Sequence, residues 1–127
     1  MKSLALSNLI KEDSYLIVGI NHDMHLLVGP LNSGAISMTL STMNSGYDIG
    51  VFQNIKDKFE SVGFNVSKIF QCATGCAISI FHYDRDIAVQ SLVNLIQSGV
   101  FGSEDLITFH PAKPTSGIRQ YVKFDGI

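Results

Sequence analysis

The sequence predicts an α+β fold, with two helices laid on one face of an antiparallel sheet. Three observations carry this expectation. In residues 50–62 the apolar side chains Val51, Phe52, Ile55, Phe59 and Val62 fall one turn apart, while Gln53, Asn54, Lys56, Asp57, Lys58 and Glu60 fill the opposite side, which is the pattern of an amphipathic helix. In residues 36–41, Ile36, Met38 and Leu40 alternate with Ser37, Thr39 and Ser41, as in a strand buried on one side. The central elements then follow the order strand, helix, strand, strand, helix, strand, which is the ferredoxin-like (βαββαβ) arrangement.

Taken in order, residues 1–12 carry Leu4, Leu6, Leu9 and Ile10 and suit a short helix. Residues 15–20 and 24–28 are runs of strand-forming side chains, and Asn21-His22-Asp23 between them is turn chemistry, so a hairpin is expected. Both runs are apolar throughout rather than alternating, which predicts cover on both faces, with a second subunit as one source of it. Gly29-Pro30 ends this unit, and Asn32-Ser33-Gly34 is loop. After the strand at 36–41 a polar loop, Thr42-Met43-Asn44-Ser45-Gly46-Tyr47-Asp48, feeds the first helix, where Asp48 is placed to cap the helix or meet its positive end. Gly63 stands where a helix-ending glycine belongs.

Residues 66–71 and 77–83 read as the next two strands, joined through Ala73-Thr74-Gly75. Asp84-Arg85-Asp86 is helix-start chemistry, and a second helix is expected over 87–97 with Ile87, Ala88, Leu92, Leu95 and Ile96 inward and Ser98-Gly99 at its end. Residues 106–109 make a short strand candidate, Pro111 and Pro114 are breakers, and residues 118–124 form a last edge strand. The predicted core comprises Ile36, Met38, Leu40, Ile55, Phe59, Ile78, Ile80, Leu92 and Ile96. No internal repeat or low-complexity tract is present.

Composition narrows the functional classes. A chain of 127 residues with 46% hydrophobic content suits one domain with an ample core. Charged residues make up 16%, below the roughly one quarter of an average soluble protein, and a surface short of charge favours self-association. A net charge of −2 argues against nucleic-acid binding, which needs a basic footprint. No run approaches the ~18 apolar residues of a membrane span. Residues 1–10 hold one basic residue and are broken by Ser and Asn, unlike a signal peptide. A soluble, cytoplasmic protein is expected. Two cysteines, Cys72 and Cys76, do not make a secreted disulfide framework.

The run from Gly50-Val51 through Ile55, Phe59 and Gly63 to Asn65-Val66, continued by Ile69 and Gln71, resembles the ACT domain, and more narrowly the ACT domains of aspartate kinases. There a Gly-Val pair opens the first helix, and Gly-x-Asn-Ile enters the second strand. Ala77-Ile78-Ser79-Ile80 looks like the family's third strand and residues 86–96 like its second helix, so the likeness covers about residues 34–98. Ile49 stands where the family usually has proline, and the loop before Gly50 is longer than in aspartate kinases. The resemblance implies a regulatory, allosteric module that binds an amino-acid-type ligand at a subunit interface. It divides the chain into one ACT-like domain over 1–127, with a core at 34–109, an N-terminal hairpin extension at 14–29 and a C-terminal strand at 118–124.

Four groups of residues invite chemistry. Met43, Asn44, Ser45, Gly46, Asp48 and Ile49 lie at a helix N-terminus, where backbone N–H groups attract a carboxylate or phosphate, with Asp48 placed to meet an ammonium group; the plain alternative is a turn with a cap. Cys72 and Cys76 bracket Ala-Thr-Gly, and Thr74-Gly75-Cys76 faintly resembles the Ser-Gly-Cys turn of cysteine-dependent glutamine deamidases. A thiol nucleophile needs a partner base; His82 lies six residues on and His110 thirty-four on, so small buried cysteines are the plainer expectation. His22 and His25 are two imidazoles three apart, short of the four ligands zinc takes, and a solvated turn is the plainer reading. Arg119, Tyr121 and Lys123 alternate on the last predicted strand, either as an anion-binding face or as a charged edge.

The reading that results is a non-catalytic small-molecule-binding module without a cofactor or metal, partnered by a second copy in a homodimer or larger even oligomer. The apolar hairpin and the 36–41 strand are expected near that interface. The alternatives are a thiol enzyme built on Cys76 and a ligand-free protein-interaction module.

Overall fold

The computed structural model describes residues 15–20, 23–29, 35–42, 49–72 and 75–112, apart from the side chains of Cys72 and Ala112. The expected helix at 1–12 and strand at 118–124 lie outside these residues. The element order is β1 (Tyr15–Gly19), β2 (Met24–Val28), β3 (Ile36–Thr42), α1 (Ile49–Ser61), β4 (Asn65–Val66), β5 (Phe70–Cys72), β6 (Gly75–His82), α2 (Arg85–Gln97), a 3-10 turn (Glu104–Leu106) and β7 (Thr108–Ala112). The strands form one seven-stranded sheet in the order β4-β6-β3-β2-β1-β7, with β5 also on β6. Every pairing is antiparallel.

Register fixes which side chains share a face. Leu16 pairs with Val28 and Val18 with Leu26; Leu26 pairs with Leu40 and Val28 with Met38; Met38 pairs with Ile80 and Leu40 with Ile78. Partners across a ladder point the same way, so these apolar residues form one continuous face. Both helices close over it. Phe52, Ile55 and Phe59 of α1 and Ala88, Val89, Leu92, Val93, Leu95 and Ile96 of α2 join the strand residues in a single buried cluster. All nine residues expected in the core are buried.

Both helices end in the same motif. The Gly63 N–H donates to the Glu60 carbonyl and the Phe64 N–H to the Phe59 carbonyl, while Gly63 takes φ +99°. This pair of bonds closes a Schellman cap, and its usual apolar contact is the edge-on packing of Phe64 against Phe59 at 5.1 Å. After α2, Gly99 donates to Ile96 and Val100 to Leu95 in the same way. At its start, the Asp84 carboxylate accepts from the N–H groups of Asp86 and Ile87, so α2 begins at Arg85, two residues earlier than expected. One expectation along this helix is corrected. Ile87, expected inward, is 55% exposed, because the buried stripe centred on Ala88, Leu92 and Ile96 leaves it on the far side of the helix. Val89 and Val93 fill the core instead.

The strand order departs from the ferredoxin-like one. There the final strand would lie beside β3; here β2 does, β1 follows, and β7 pairs with β1. The hairpin is therefore the middle of the sheet, not an extension. Its burial alternates along β1, with Leu16 and Val18 inside and Ile17 half-buried, so the chain's own helices cover one of the two faces for which cover was expected. Pro111, expected to break the chain, sits within β7, the outermost strand on this path, where a missing N–H is tolerated.

The single strand expected over 66–71 is divided. Val66 pairs with Ile80, but Phe70 pairs with Ala77, so four steps along one strand match three along β6. That extra residue is a β-bulge. Ser67 holds it together: its N–H donates to the Ser79 carbonyl, its Oγ accepts from the Ser79 N–H at 2.9 Å, and the hydroxyl donates to the Lys68 carbonyl at 2.8 Å. A side-chain oxygen thus takes the place of a ladder carbonyl. Ser67→Ala should lower stability by about 0.5–1.5 kcal/mol, seen as a reduced urea midpoint with an unchanged slope; an unchanged midpoint would show that water replaces the hydroxyl fully.

At the other edge, a Cβ added to Gly19 would run into Thr108 Oγ1, closer than side chains approach. Gly19→Ala should destabilise by about 1–3 kcal/mol. Adding Thr108→Ala should recover most of the loss, a coupling above about 0.5 kcal/mol in a double-mutant cycle, whereas simple additivity would exclude the clash as its cause.

Candidate functional site

The predicted ligand loop connects the centre of the sheet to a helix N-terminus. β3 runs to Thr42, and α1 opens at Ile49. Met43, Asn44, Ser45, Gly46 and Asp48 lie outside the described residues; Ile49, the last of the predicted set, is exposed in the first turn of α1. The two helices differ in how their positive ends are met. α2 has the Asp84 cap and Asp86 in its first turn, whereas the first turn of α1 holds no acidic residue. The N-terminus of a thirteen-residue helix carries partial positive charge that suits an anionic group, whether the carboxylate of Asp48 or that of a ligand.

The strand end beside this loop is polar and buried. Ser41 and Thr42 are the buried polar residues of the chain among those described. Ser41 Oγ and His25 Nε2 are 2.9 Å apart and hydrogen-bonded across the β2–β3 ladder, on the face opposite the helices. Thr42 points to the helix side and pairs with Met24 on one flank and Cys76 on the other. Sequence reasoning passed over both, Ser41 as a polar position of an alternating strand and Thr42 as the first residue of the loop. The available signal was the break in alternation at Leu40-Ser41-Thr42, where two polar residues follow one another at the end of an apolar strand.

The thiol reading does not find its geometry. Cys76 is buried in β6 and sits six residues from His82 on the same strand, a separation of about 20 Å at ~3.3 Å per residue. His82 is occupied locally: its Nδ1 accepts from the Asp84 N–H at 2.9 Å, and its ring meets Phe64 edge-on at 5.3 Å. It braces the turn into α2. His110 pairs with Ile17 on β7, four strands from β6 and on the opposite face from Cys76. Neither imidazole converges on the sulfur.

His22 lies outside the described residues, and His25 belongs to β2, hydrogen-bonded to Ser41. Among the described residues, no three His, Cys, Asp or Glu side chains come together as a metal site requires. Arg119, Tyr121 and Lys123 also lie outside those residues. Among the described residues, no helix is long and apolar enough to cross a membrane.

The burial of Cys76 has a direct readout. In a Cys72→Ala variant, alkylation of Cys76 at neutral pH should be at least tenfold slower in the folded protein than in denaturant; equal rates would restore the accessible-thiol reading. No protein-family model, curated protein or solved structure matches the chain.

Proposed function

We propose that this chain is an ACT-like regulatory module, non-catalytic, that binds a small amino-acid-type ligand where β3 meets the N-terminus of α1. The observation that carries this reading is the β3–α1 junction: a polar loop enters a helix whose first turn holds no carboxylate. A ligand carboxylate suits the helix end, and Asp48 suits an ammonium group. Asn44 and Ser45 supply further hydrogen-bonding groups in the loop.

The fold is read as a ferredoxin-like unit with a hairpin inserted. β3-α1-β4-β6-α2-β7 follows the expected element order, and β4, β6 and β3 are neighbours in the expected order; β2 and β1 stand between β3 and β7. Gly50-Val51 in the first turn of α1, the Gly63 cap after it and the Asn65-Val66 strand support this reading.

We assign the second copy to the same reading, with the ligand at a two-fold interface. Support comes from the sheet itself, whose described strands contain no Asp, Glu, Lys or Arg. On the face away from the helices, Phe70 is 61% exposed and Ile17 and Phe81 are half-buried. The same observation favours a ligand-free interaction module as the second reading. The thiol enzyme has no such support.

Two measurements separate these. A thermal-shift screen against the standard amino acids should find one that stabilises the chain by about 2.7 kcal/mol at 100 times its dissociation constant, and Asp48→Ala should remove the effect. No shift with any amino acid at millimolar concentration would leave the interaction reading in place. Sedimentation equilibrium at micromolar concentration should give an even multiple of 13.9 kDa. A monomer that persists on concentration would leave the interface ligand without a site.

A further inference from the structure

We draw no further inference here: the strongest candidate, the charge-free face of the sheet opposite the two helices, with Phe70 exposed at its β5 edge and Ile17 and Phe81 half-buried within it, carries nothing because nothing among the described residues shows what covers it.

Discussion

The pairing of β3 with β6 is the constraint on which the rest depends. Seven residue pairs run from Ile36 against His82 to Thr42 against Cys76, the longest ladder in the sheet. Each of the two strands leads into a helix, β3 into α1 and β6 into α2. Because the strands are antiparallel, the helices depart from opposite ends of the ladder and return across the same apolar face. The core-facing residues, Met38 and Leu40 against Ile80 and Ile78, meet Phe52, Phe59, Leu92 and Ile96 there. A one-residue slip of this ladder would put Met38 and Leu40 on the opposite face from Ile78 and Ile80, so the register and the core specify each other.

The hairpin β1–β2 extends that logic. Leu26 and Val28 continue the rows begun by Leu40 and Met38, and Val18 and Leu16 carry them to the next strand. Each row is apolar from β6 to β1, so adding the hairpin at this edge enlarges the core without introducing a buried polar side chain. The crossover from β6 through α2 must then span β3, β2 and β1 before reaching β7. The chain supplies the length after α2, where Val100, Phe101 and Ile107 pack on the core before β7 begins.

How far the sequence revealed this depended on the range of the interactions involved. Local chemistry was legible. The spacing of Phe52, Ile55 and Phe59, the Gly63 cap, the turn at Asp84 and the alternation of Ile36, Met38 and Leu40 each act within a few residues, and each appears in the structure near where it was expected. Strand order was not legible. An apolar hairpin reads the same whether it flanks a sheet or enters it, because the choice rests on pairing β1 with β7, far apart in sequence. The bulge at Ser67 was hidden for a related reason: a serine in a strand looks like a solvent-facing position until its partner, Ser79, is known. Ile87 was misassigned because an apolar residue beside the core stripe reads as part of it in sequence, and only packing shows that the stripe runs through Ala88, Leu92 and Ile96 instead.

For the candidate site, sequence and structure contribute different parts. The loop residues and the ligand class come from the sequence and its resemblance; the junction that holds them comes from the fold. A strand in the middle of the sheet delivers the chain to a helix end, so the groups at that end are fixed by the core rather than by the loop itself. Ser41 and Thr42 show how firmly. They carry hydroxyls, yet both are buried at the last positions of β3, one toward His25 and one between Met24 and Cys76. Burying a hydroxyl is tolerable only with a hydrogen-bonding partner, which restricts how β3 can move at this end. The start of the loop is therefore anchored on both faces of the sheet. Its far end is anchored by Phe52 in the core. The two elements between which the proposed site lies, β3 and α1, are thus set by the packed core on either side of it.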